Sequence, residues 1–312
     1  MEEKGQVIKS TGNLYTVITS GKEKVDCKLT GRYRLEDLKS TNPVTVGDWI
    51  IFERTPGEQI GRIKEVLERK NYIIRKSSNL SKTYQLIASN IDQLMLMATV
   101  EYPKTFPEFI DRYLVTAEAY SIRSIILFNK IDLYDQEQLD EVNQLTEIYS
   151  RIGYPCYSIS ALNKGELGII LELLNQKVTL IAGNSGVGKS TLLNSLFPDL
   201  NLKINDISDY HKKGKHTTTF AEMFPLPKGG YVIDSPGIKG FGLIDMENEP
   251  LYHYFPEFFS TSHNCRFYNC IHINEPGCAV IKAVEDGRIS LSRYNSYLSL
   301  LEEQEQSDKY RS

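Results

Sequence analysis

Five short apolar or β-branched runs open the chain, separated by Gly, Asn, Asp and Pro. They cover residues 6–8, 15–18, 24–29, 48–52 and 61–67. Short strands at this spacing, with turn residues between them, predict a small five-stranded β-barrel. A barrel of the oligonucleotide-binding (OB) type presents a strand face and loops to nucleic acid. Trp49, the lone tryptophan, lies within an apolar run, so we expect it in the barrel core rather than on the surface as a base-stacking platform.

From residue 93 onward, continuous apolar runs alternate with segments of helical periodicity. The continuous apolar run at 93–100 predicts a strand buried on both faces of a parallel sheet, and the runs at 124–128, 155–160, 178–182 and 229–234 predict further strands. Helical spacing predicts helices at 107–120 and 136–150, and a further helix from residue 191. This alternation predicts an α/β domain with a mainly parallel sheet. Residues 71–85, which are basic and lack an acid, are interpreted as a linker between barrel and sheet.

Composition is that of a soluble globular protein, with 41% hydrophobic and 24% charged residues and a net charge of −4. The negative charge argues against a uniformly basic nucleic-acid binder. Residues 1–85 nevertheless carry 16 Lys+Arg against 11 Asp+Glu, whereas the remainder carries 20 against 29. This surplus indicates either a polyanionic partner of the barrel or an ordinary solvated surface. We expect a cytoplasmic protein, because no apolar run reaches transmembrane length and the start lacks a signal-peptide core.

A phosphate loop lies at residues 183–191, which read Gly-Asn-Ser-Gly-Val-Gly-Lys-Ser-Thr and match G-x-x-x-x-G-K-[ST]. A predicted strand precedes it and a predicted helix follows, the context in which backbone N–H groups converge on a phosphate. We expect Lys189 to reach the β- and γ-phosphates and Ser190 to ligate Mg²⁺. The predicted nucleotide-binding residues are Gly183, Asn184, Ser185, Gly186, Val187, Gly188, Lys189, Ser190 and Thr191.

A guanine motif follows the predicted strand at 124–128, because residues 129–132 read Asn-Lys-Ile-Asp and match N-K-x-D. Its aspartate accepts hydrogen bonds from guanine N1–H and the exocyclic amine, a donor pair that adenine lacks. Its asparagine holds the loop, and the lysine stem covers the base. Residues 160–162 read Ser-Ala-Leu and match the loop that closes over the base through backbone N–H groups. The predicted base site comprises Asn129, Lys130, Asp132, Ser160 and Ala161.

A switch element is predicted at residues 234–237, which read Asp-Ser-Pro-Gly and match D-x-x-G. We expect Asp234 to hold Mg²⁺, directly or through water, and the Gly237 N–H to sense the γ-phosphate. Three threonines lie between the phosphate loop and this element. One of them should close on Mg²⁺ when the γ-phosphate is present, and we favour Thr218.

A metal site is predicted near the carboxyl end, where Cys265, Cys270, His272 and Cys278 lie within fourteen residues. Three thiolates and one imidazole make a closed tetrahedral site for Zn²⁺, which is structural because no position is left for water. The nearby His253 and His263 do not fit the ligand spacing. Cys27 and Cys156 are isolated among apolar residues, and we expect both in the core.

The motif order is unusual, because the base motifs precede the phosphate loop, whereas in the Ras-like order they follow it. The chain therefore has the order expected of a circularly permuted Ras-like domain. With the barrel and the cysteine cluster, it resembles the small ribosomal subunit biogenesis GTPase RsgA family over nearly its whole length. The resemblance implies an OB-type RNA-binding β-barrel in residues 1–70, a circularly permuted Ras-like α/β P-loop GTPase domain in 71–244 and a mainly helical zinc-binding domain in 245–312.

Ile238 follows the D-x-x-G glycine, at a position where Ras-like enzymes commonly place a glutamine that orients water. Isoleucine cannot do this, so intrinsic hydrolysis should be slow or should use another group. His216 is our candidate, because a neutral imidazole can position the attacking water or accept its proton. Contact with an RNA phosphate is the alternative role. The predicted catalytic residues are therefore His216, Lys189 and Thr218.

The resemblance implies a GTPase that binds the small ribosomal subunit and its rRNA late in assembly, and whose hydrolysis releases itself or another factor. The expected cofactors are GTP or GDP, Mg²⁺ and one structural Zn²⁺. We expect a monomer with no membrane partner. Two alternatives stay open. Ile238 favours a GTP-regulated RNA-binding module or chaperone with negligible catalysis. The second alternative is a structural adaptor protein that uses its zinc and OB domains to act on DNA or on another RNA.

Overall fold

A computed structural model describes residues 2–29, 42–54, 59–76, 84–198, 221–234 and 249–309. The side chains of residues 75, 76, 84, 164, 234 and 307–309 also lie outside the description. Within the described residues, eleven strands join into one hydrogen-bonded sheet that runs through an amino-terminal barrel and a central α/β domain.

The barrel is built from the first five strands and closes on itself. Its strands are β1 (Glu2–Thr11), β2 (Leu14–Thr19), β3 (Lys24–Leu29), β4 (Trp49–Glu53) and β5 (Gly61–Val66). Their order is β1-β2-β3-β5-β4, and β4 returns to β1. Only the β3–β5 pair is parallel among these ladders. Alternate residues such as Val25 and Cys27 face an apolar interior, which confirms the predicted OB-type barrel.

Trp49 lies on the surface of this barrel, contrary to the expectation from the sequence. It is 38% exposed, and the Lys4 ammonium lies 5.0 Å from its ring centroid. Its neighbours Ile50 and Phe52 are fully buried instead. The expectation of a core tryptophan is therefore wrong, because the strand alternation turns residue 49 outward.

The predicted linker at 71–85 is also corrected, because a β-hairpin occupies much of it. The strands β6 (Tyr72–Lys76) and β7 (Tyr84–Ser89) pair antiparallel. The buried Asp48 carboxylate joins this hairpin to the barrel, since it accepts bonds from Ser89 Oγ at 2.6 Å and from Nε and Nη2 of Arg69, each at 2.7 Å. A buried, fully hydrogen-bonded ion pair of this kind fixes the two parts against each other.

The central sheet has the order β10-β9-β8-β11-β13-β12. Its strands are β8 (Gln93–Ala98), β9 (Arg123–Asn129), β10 (Cys156–Ile159), β11 (Val178–Ala182), β12 (Glu222–Pro225) and β13 (Tyr231–Asp234). All pairs are parallel except β12–β13. The edge strand β12 also meets the barrel, where Lys9 pairs with Glu222. The predicted parallel α/β sheet is confirmed.

Helices cover both faces of the central sheet. The helices are α1 (Pro107–Ala119), α2 (Gln136–Ile152), α3 (Gly168–Leu174) and α4 (Lys189–Leu196). Leu94 and Leu96 of β8 pack in one apolar core with residues of α1 and α2. Met95 and Met97 pack in a second core with residues of α3 and α4. The strand is therefore buried on both faces, which explains its unbroken apolar sequence.

The carboxyl-terminal unit is mainly helical, as predicted, with α5 (Pro256–Ser262), α6 (Ala279–Glu285) and α7 (Leu291–Lys309). Its apolar core includes Phe255, Phe258 and Tyr297, and takes in Val115 of α1. The unit therefore packs directly on the central domain. No helix in the described segments combines the length and apolarity needed to cross a membrane.

Candidate nucleotide site and metal centre

Three motif loops meet at the carboxyl edge of the central sheet. They follow β9, β10 and β11, which run parallel with β8 between β9 and β11. Because parallel strands end at the same edge, segments far apart in sequence come together there. The predicted guanine loop, the Ser-Ala-Leu loop and the phosphate loop are brought together in this way.

The phosphate loop requires glycine at two positions where its backbone approaches neighbouring segments. Gly183 has φ +143°, and a Cβ there would lie 2.3 Å from the Met97 carbonyl oxygen. Gly188 has φ +102°, and a Cβ there would lie 2.3 Å from Asn129 Nδ2. Both positions therefore exclude side chains for steric as well as conformational reasons.

Lys189 lies in the phosphate-loop motif and is the first residue of α4. Its ammonium donates to the carbonyl oxygens of Gly183 and Asn184 at 2.7 and 2.8 Å. The two carbonyls thus hold the ammonium beside the loop, at the N-terminus of α4. A cation together with a helix N-terminus favours a bound phosphate.

Asn129 links the three loops through its buried side chain. Its Nδ2 donates to the Val187 carbonyl at 2.7 Å, inside the phosphate loop. Its Oδ1 accepts from the Ala161 N–H at 2.8 Å, inside the Ser-Ala-Leu loop. The buried Ser160 also accepts a weak bond from the Leu162 N–H at 3.4 Å. The asparagine therefore holds the base and phosphate loops in one arrangement.

Lys130 and Asp132 occupy the turn after β9. Lys130 has a left-handed backbone with φ +71°, and its ammonium donates to the Tyr102 carbonyl oxygen. Burial lowers the pKa of Lys130, an effect that the nearby Asp132 carboxylate opposes. Asp132 is exposed within a short 3₁₀ turn, Ile131–Leu133. An exposed carboxylate beside a lysine stem suits a ligand that stacks on the stem and donates to the acid.

The predicted switch residues are largely outside the described part of the chain. His216, Thr218 and Gly237 fall in the gaps, and the Asp234 side chain is not described. The Asp234 backbone ends β13, opposite Ile181 on β11. Its position one strand from the phosphate loop agrees with a role near the phosphates, but the roles of these residues stay predictions.

Tyr134 belongs to the site although no motif includes it. Its hydroxyl donates to the Asn129 carbonyl at 2.8 Å and accepts from the Val100 N–H at 3.1 Å. The sequence carries no signal for this role beyond closeness to the guanine motif, because it depends on contacts between different loops.

The four predicted metal ligands form one cluster, with all their ligand atoms within 4.8 Å of one another. His272 Nδ1 lies 3.4 Å from Cys278 Sγ and 3.7 Å from Cys265 Sγ, and the two sulfurs are 4.0 Å apart. Tetrahedral Zn²⁺ with bonds of about 2.3 Å to sulfur and 2.0–2.1 Å to nitrogen requires ligand separations of about 3.5–3.8 Å. The residues therefore fit Zn²⁺ in number, type and spacing. Neither His253 nor His263 is part of the cluster.

Backbone amides surround the cluster. The Ala279 N–H donates to Cys265 Sγ at 3.3 Å, and the Ile281 N–H donates to Cys278 Sγ at 3.4 Å. Glu275 organises the loop between the predicted ligands, because its carboxylate accepts from the backbone N–H groups of Ile271, Ile273 and Asn274. Burial raises the pKa of Glu275, but these N–H bonds outweigh it and lower the pKa overall. N–H groups aimed at sulfur favour thiolates, the form that binds a metal.

Without a metal charge, burial disfavours the thiolate at two of these cysteines. Burial raises the pKa of Cys270 to about 12 and also raises that of Cys278. A bound divalent cation would offset this cost, because coordination deprotonates thiols. By contrast, burial raises the pKa of the isolated Cys27 to about 12 and that of Cys156 to about 11, as suits unreactive packed thiols.

Family models match two parts of the chain. The model described as RsgA GTPase matches residues 66–244, and that described as RsgA N-terminal domain matches residues 4–63. The chain is 55% identical over 310 residues to the small ribosomal subunit biogenesis GTPase RsgA of Bacteroides fragilis, covering 99% of each. It is 51% identical over 309 residues to the protein of the same name from Phocaeicola vulgatus, again covering 99% of each.

Solved structures show the same likeness. YjeQ from Thermotoga maritima is 36% identical, with a TM-score of 0.78 over 97% of this chain and 98% of that one. YloQ, described as a circularly permuted GTPase, is 31% identical, with a TM-score of 0.73 over 98% of this chain and 96% of that one. Because each match spans nearly the whole chain, the likeness concerns the complete arrangement and not the phosphate loop alone.

Proposed function

Because the chain belongs to the RsgA GTPase family, we propose that it hydrolyses GTP to GDP and phosphate while acting on the maturing small ribosomal subunit. The observation that carries this proposal is the set of bonds made by Asn129, which joins base and phosphate loops in the permuted order. Such a network is what a guanine nucleotide needs, since its base and phosphates are held by different loops.

The loop at 183–191 and the start of α4 bind the phosphates. The Lys189 ammonium leaves the carbonyls of Gly183 and Asn184 and turns to the β- and γ-phosphate oxygens. Ser190, Thr218 and Asp234 would hold Mg²⁺, which supplies charge neutralisation on the phosphates when bound. Thr218 and Gly237 belong to the segments that would respond to the γ-phosphate.

Base selection falls to the turn after β9. The Asp132 carboxylate accepts from guanine N1–H and the exocyclic amine, and the Lys130 stem covers the ring. Ser160 and Ala161 close the other side. Adenine presents no matching donor pair, so ATP would leave the carboxylate without partners.

Activation of the attacking water is assigned to His216, because Ile238 follows the switch glycine and cannot orient water. The same isoleucine supports a second candidate function, a GTP-regulated RNA-binding module with negligible catalysis of its own. The two candidates share the nucleotide site and differ in whether hydrolysis accelerates on the subunit.

The carboxyl-terminal cluster would hold one Zn²⁺ through Cys265, Cys270, His272 and Cys278. A metal with four protein ligands is structural, because it joins chain segments and leaves no open position for a substrate. Its contribution here is to fix the loop between α5 and α6 against α7.

The small ribosomal subunit enters this proposal through the names of the relatives, which are small ribosomal subunit biogenesis GTPases. The basic surplus of residues 1–85 supports contact of the barrel with rRNA. We assign rRNA binding to residues 1–70, GTP turnover to 71–244 and metal binding to 245–312. Hydrolysis would then release the protein itself or another assembly factor, in the cytoplasm where subunits mature.

The test is multiple-turnover GTP hydrolysis by the full chain, measured with and without purified small subunits. Strong stimulation is expected for the GTPase, and subunit-stimulated turnover should fall sharply in His216→Ala. Equal turnover with and without subunits contradicts stimulation and favours the binding module. Large subunits serve as the matched control for nonspecific rRNA effects.

A further inference from the structure

The Tyr134 hydroxyl bridges two buried backbone groups at the edge of the nucleotide site. It donates to the Asn129 carbonyl at 2.8 Å and accepts from the Val100 N–H at 3.1 Å. Asn129 and Val100 are 1% and 2% exposed, so neither group can readily exchange this partner for water. Buried backbone groups that lose a partner are costly, and the hydroxyl therefore constrains both.

The bond to the Asn129 carbonyl sets the direction of the guanine loop beyond Asn129. The Asn129 side chain is already committed to Val187 and Ala161, so it fixes the loop only up to that residue. Lys130 then turns into the left-handed region. The orientation of the peptide between them sets the direction of the turn on which the guanine-recognising Asp132 stands, and Tyr134 holds its carbonyl.

The second bond ties the guanine loop to the segment that follows β8. Val100 lies just beyond β8, and the Lys130 ammonium reaches the carbonyl of Tyr102 in the same segment. The two loops are thus held at two points, one by the tyrosine and one by the lysine. Burial raises the pKa of Tyr134, which keeps its hydroxyl proton available for donation.

We propose that Tyr134 is a positioning residue for guanine recognition, which acts on the base through the backbone of the guanine loop and touches neither base nor phosphate. The inference rests on the proposed function, because it presupposes that Asp132 reads guanine. It adds a residue outside the N-K-x-D motif to the determinants of nucleotide specificity.

The test is Tyr134→Phe in the full chain, which removes only the hydroxyl. Affinities for GDP, IDP and inorganic tripolyphosphate are measured by titration calorimetry. IDP lacks the exocyclic amine and makes one of the two bonds to Asp132, so the ratio of GDP to IDP affinity reports how well the carboxylate is placed. We expect GDP affinity to fall about tenfold, because the bond that holds the Asn129 carbonyl is lost together with the bond from Val100, and the GDP preference to fall severalfold. The affinity for tripolyphosphate should stay within twofold of the wild-type value. The turnover rate at saturating GTP should stay unchanged, while KM for GTP rises.

Tyr154→Phe is the matched control, since its hydroxyl donates to Glu118 at 3.0 Å within the same domain but away from the guanine loop. It should lower thermal stability comparably and leave all three affinities unchanged. Wild-type GDP preference in Tyr134→Phe overturns the inference while leaving the proposed function intact. Equal losses for GDP and tripolyphosphate also overturn it, because they indicate general damage. A wild-type chain with no preference for GDP over ADP overturns the proposed function together with the inference.

Discussion

The guanidinium of Arg293 on α7 donates to the carboxylate of Asp111 on α1 across 2.8 Å, and their side chains are 1% and 0% exposed. This pair joins the carboxyl-terminal unit to the central domain at the centre of their contact. Glu257 of α5 accepts two further bonds from the guanidinium, at 2.7 and 3.0 Å, and the guanidinium lies 4.5 Å from the Phe255 ring centroid. The packing of the carboxyl-terminal unit on α1 is therefore specified by charge as well as by apolar contact.

Asp111→Ala should destabilise the chain by about 3–5 kcal/mol, because it leaves a buried guanidinium with one of its two carboxylate partners. Urea unfolding followed by far-UV circular dichroism measures the change. Glu147→Gln is the control, since its pair with Arg151 is exposed on α2 and contributes about 0.3–0.5 kcal/mol. Similar losses in the two variants would show that burial of the Arg293 pair carries no special weight.

The parts of the site that the sequence predicted are those whose chemistry requires fixed residue types at fixed local spacing. The phosphate loop needs Gly183 and Gly188 because other segments lie where a Cβ would be. The cluster needs four ligands within a short loop, and the structure brings those four together. Such patterns are visible in one sequence because the constraint is local.

The features that the sequence did not reveal depend on contacts between distant segments. Trp49 lies in an apolar run, in which composition does not show which residues face the barrel interior. Its side chain points outward. The interpretation of residues 71–85 as a linker missed a hairpin whose attachment depends on Asp48 and Arg69. Tyr134 was not found because its two partners lie on different loops.

Gly188→Ala should weaken nucleotide binding. The added Cβ would displace the Asn129 amide that bonds Val187, and a lost buried hydrogen bond costs about 1–3 kcal/mol, or roughly fivefold to 150-fold in affinity. Titration with a fluorescent GDP analogue measures the affinity.

Gly153→Ala is the control for backbone strain in this experiment. Its φ of +114° is also left-handed, but an added Cβ would have no atom within 4 Å. Both variants should lose about 1–2 kcal/mol of stability from the left-handed backbone. Nucleotide affinity should fall only for Gly188→Ala, and an equal fall in both would assign the effect to strain alone.

Asp132→Asn should change the preferred base from guanine to xanthine. The amide donates to the xanthine C2 carbonyl and no longer accepts from the guanine amine, so GDP affinity should fall at least about tenfold. Competition between GDP and XDP for a fluorescent nucleotide measures the preference.

Asp135→Asn provides the comparison for this change of base preference. Asp135 caps α2 by accepting from the Gln138 N–H, and asparagine caps about equally well. This variant removes a nearby charge without touching base recognition, and its GDP preference should match the wild type. Retained GDP preference in Asp132→Asn would refute the role assigned to that carboxylate.

Cys278→Ser should remove the metal and loosen the carboxyl-terminal unit. Cys278 is both a predicted metal ligand and the N-cap of α6, where its sulfur accepts from the Ile281 N–H. Because the binding free energy of a structural metal is also folding free energy, its loss should separate unfolding of this unit from that of the rest. Native mass spectrometry should find one zinc per wild-type chain and none in the variant, and amide exchange should rise around α6.

Cys156→Ser removes a thiol outside the cluster and His263→Ala removes a nearby imidazole, and both should retain one zinc. One zinc retained by Cys278→Ser, or one lost by His263→Ala, would contradict the assigned ligand set.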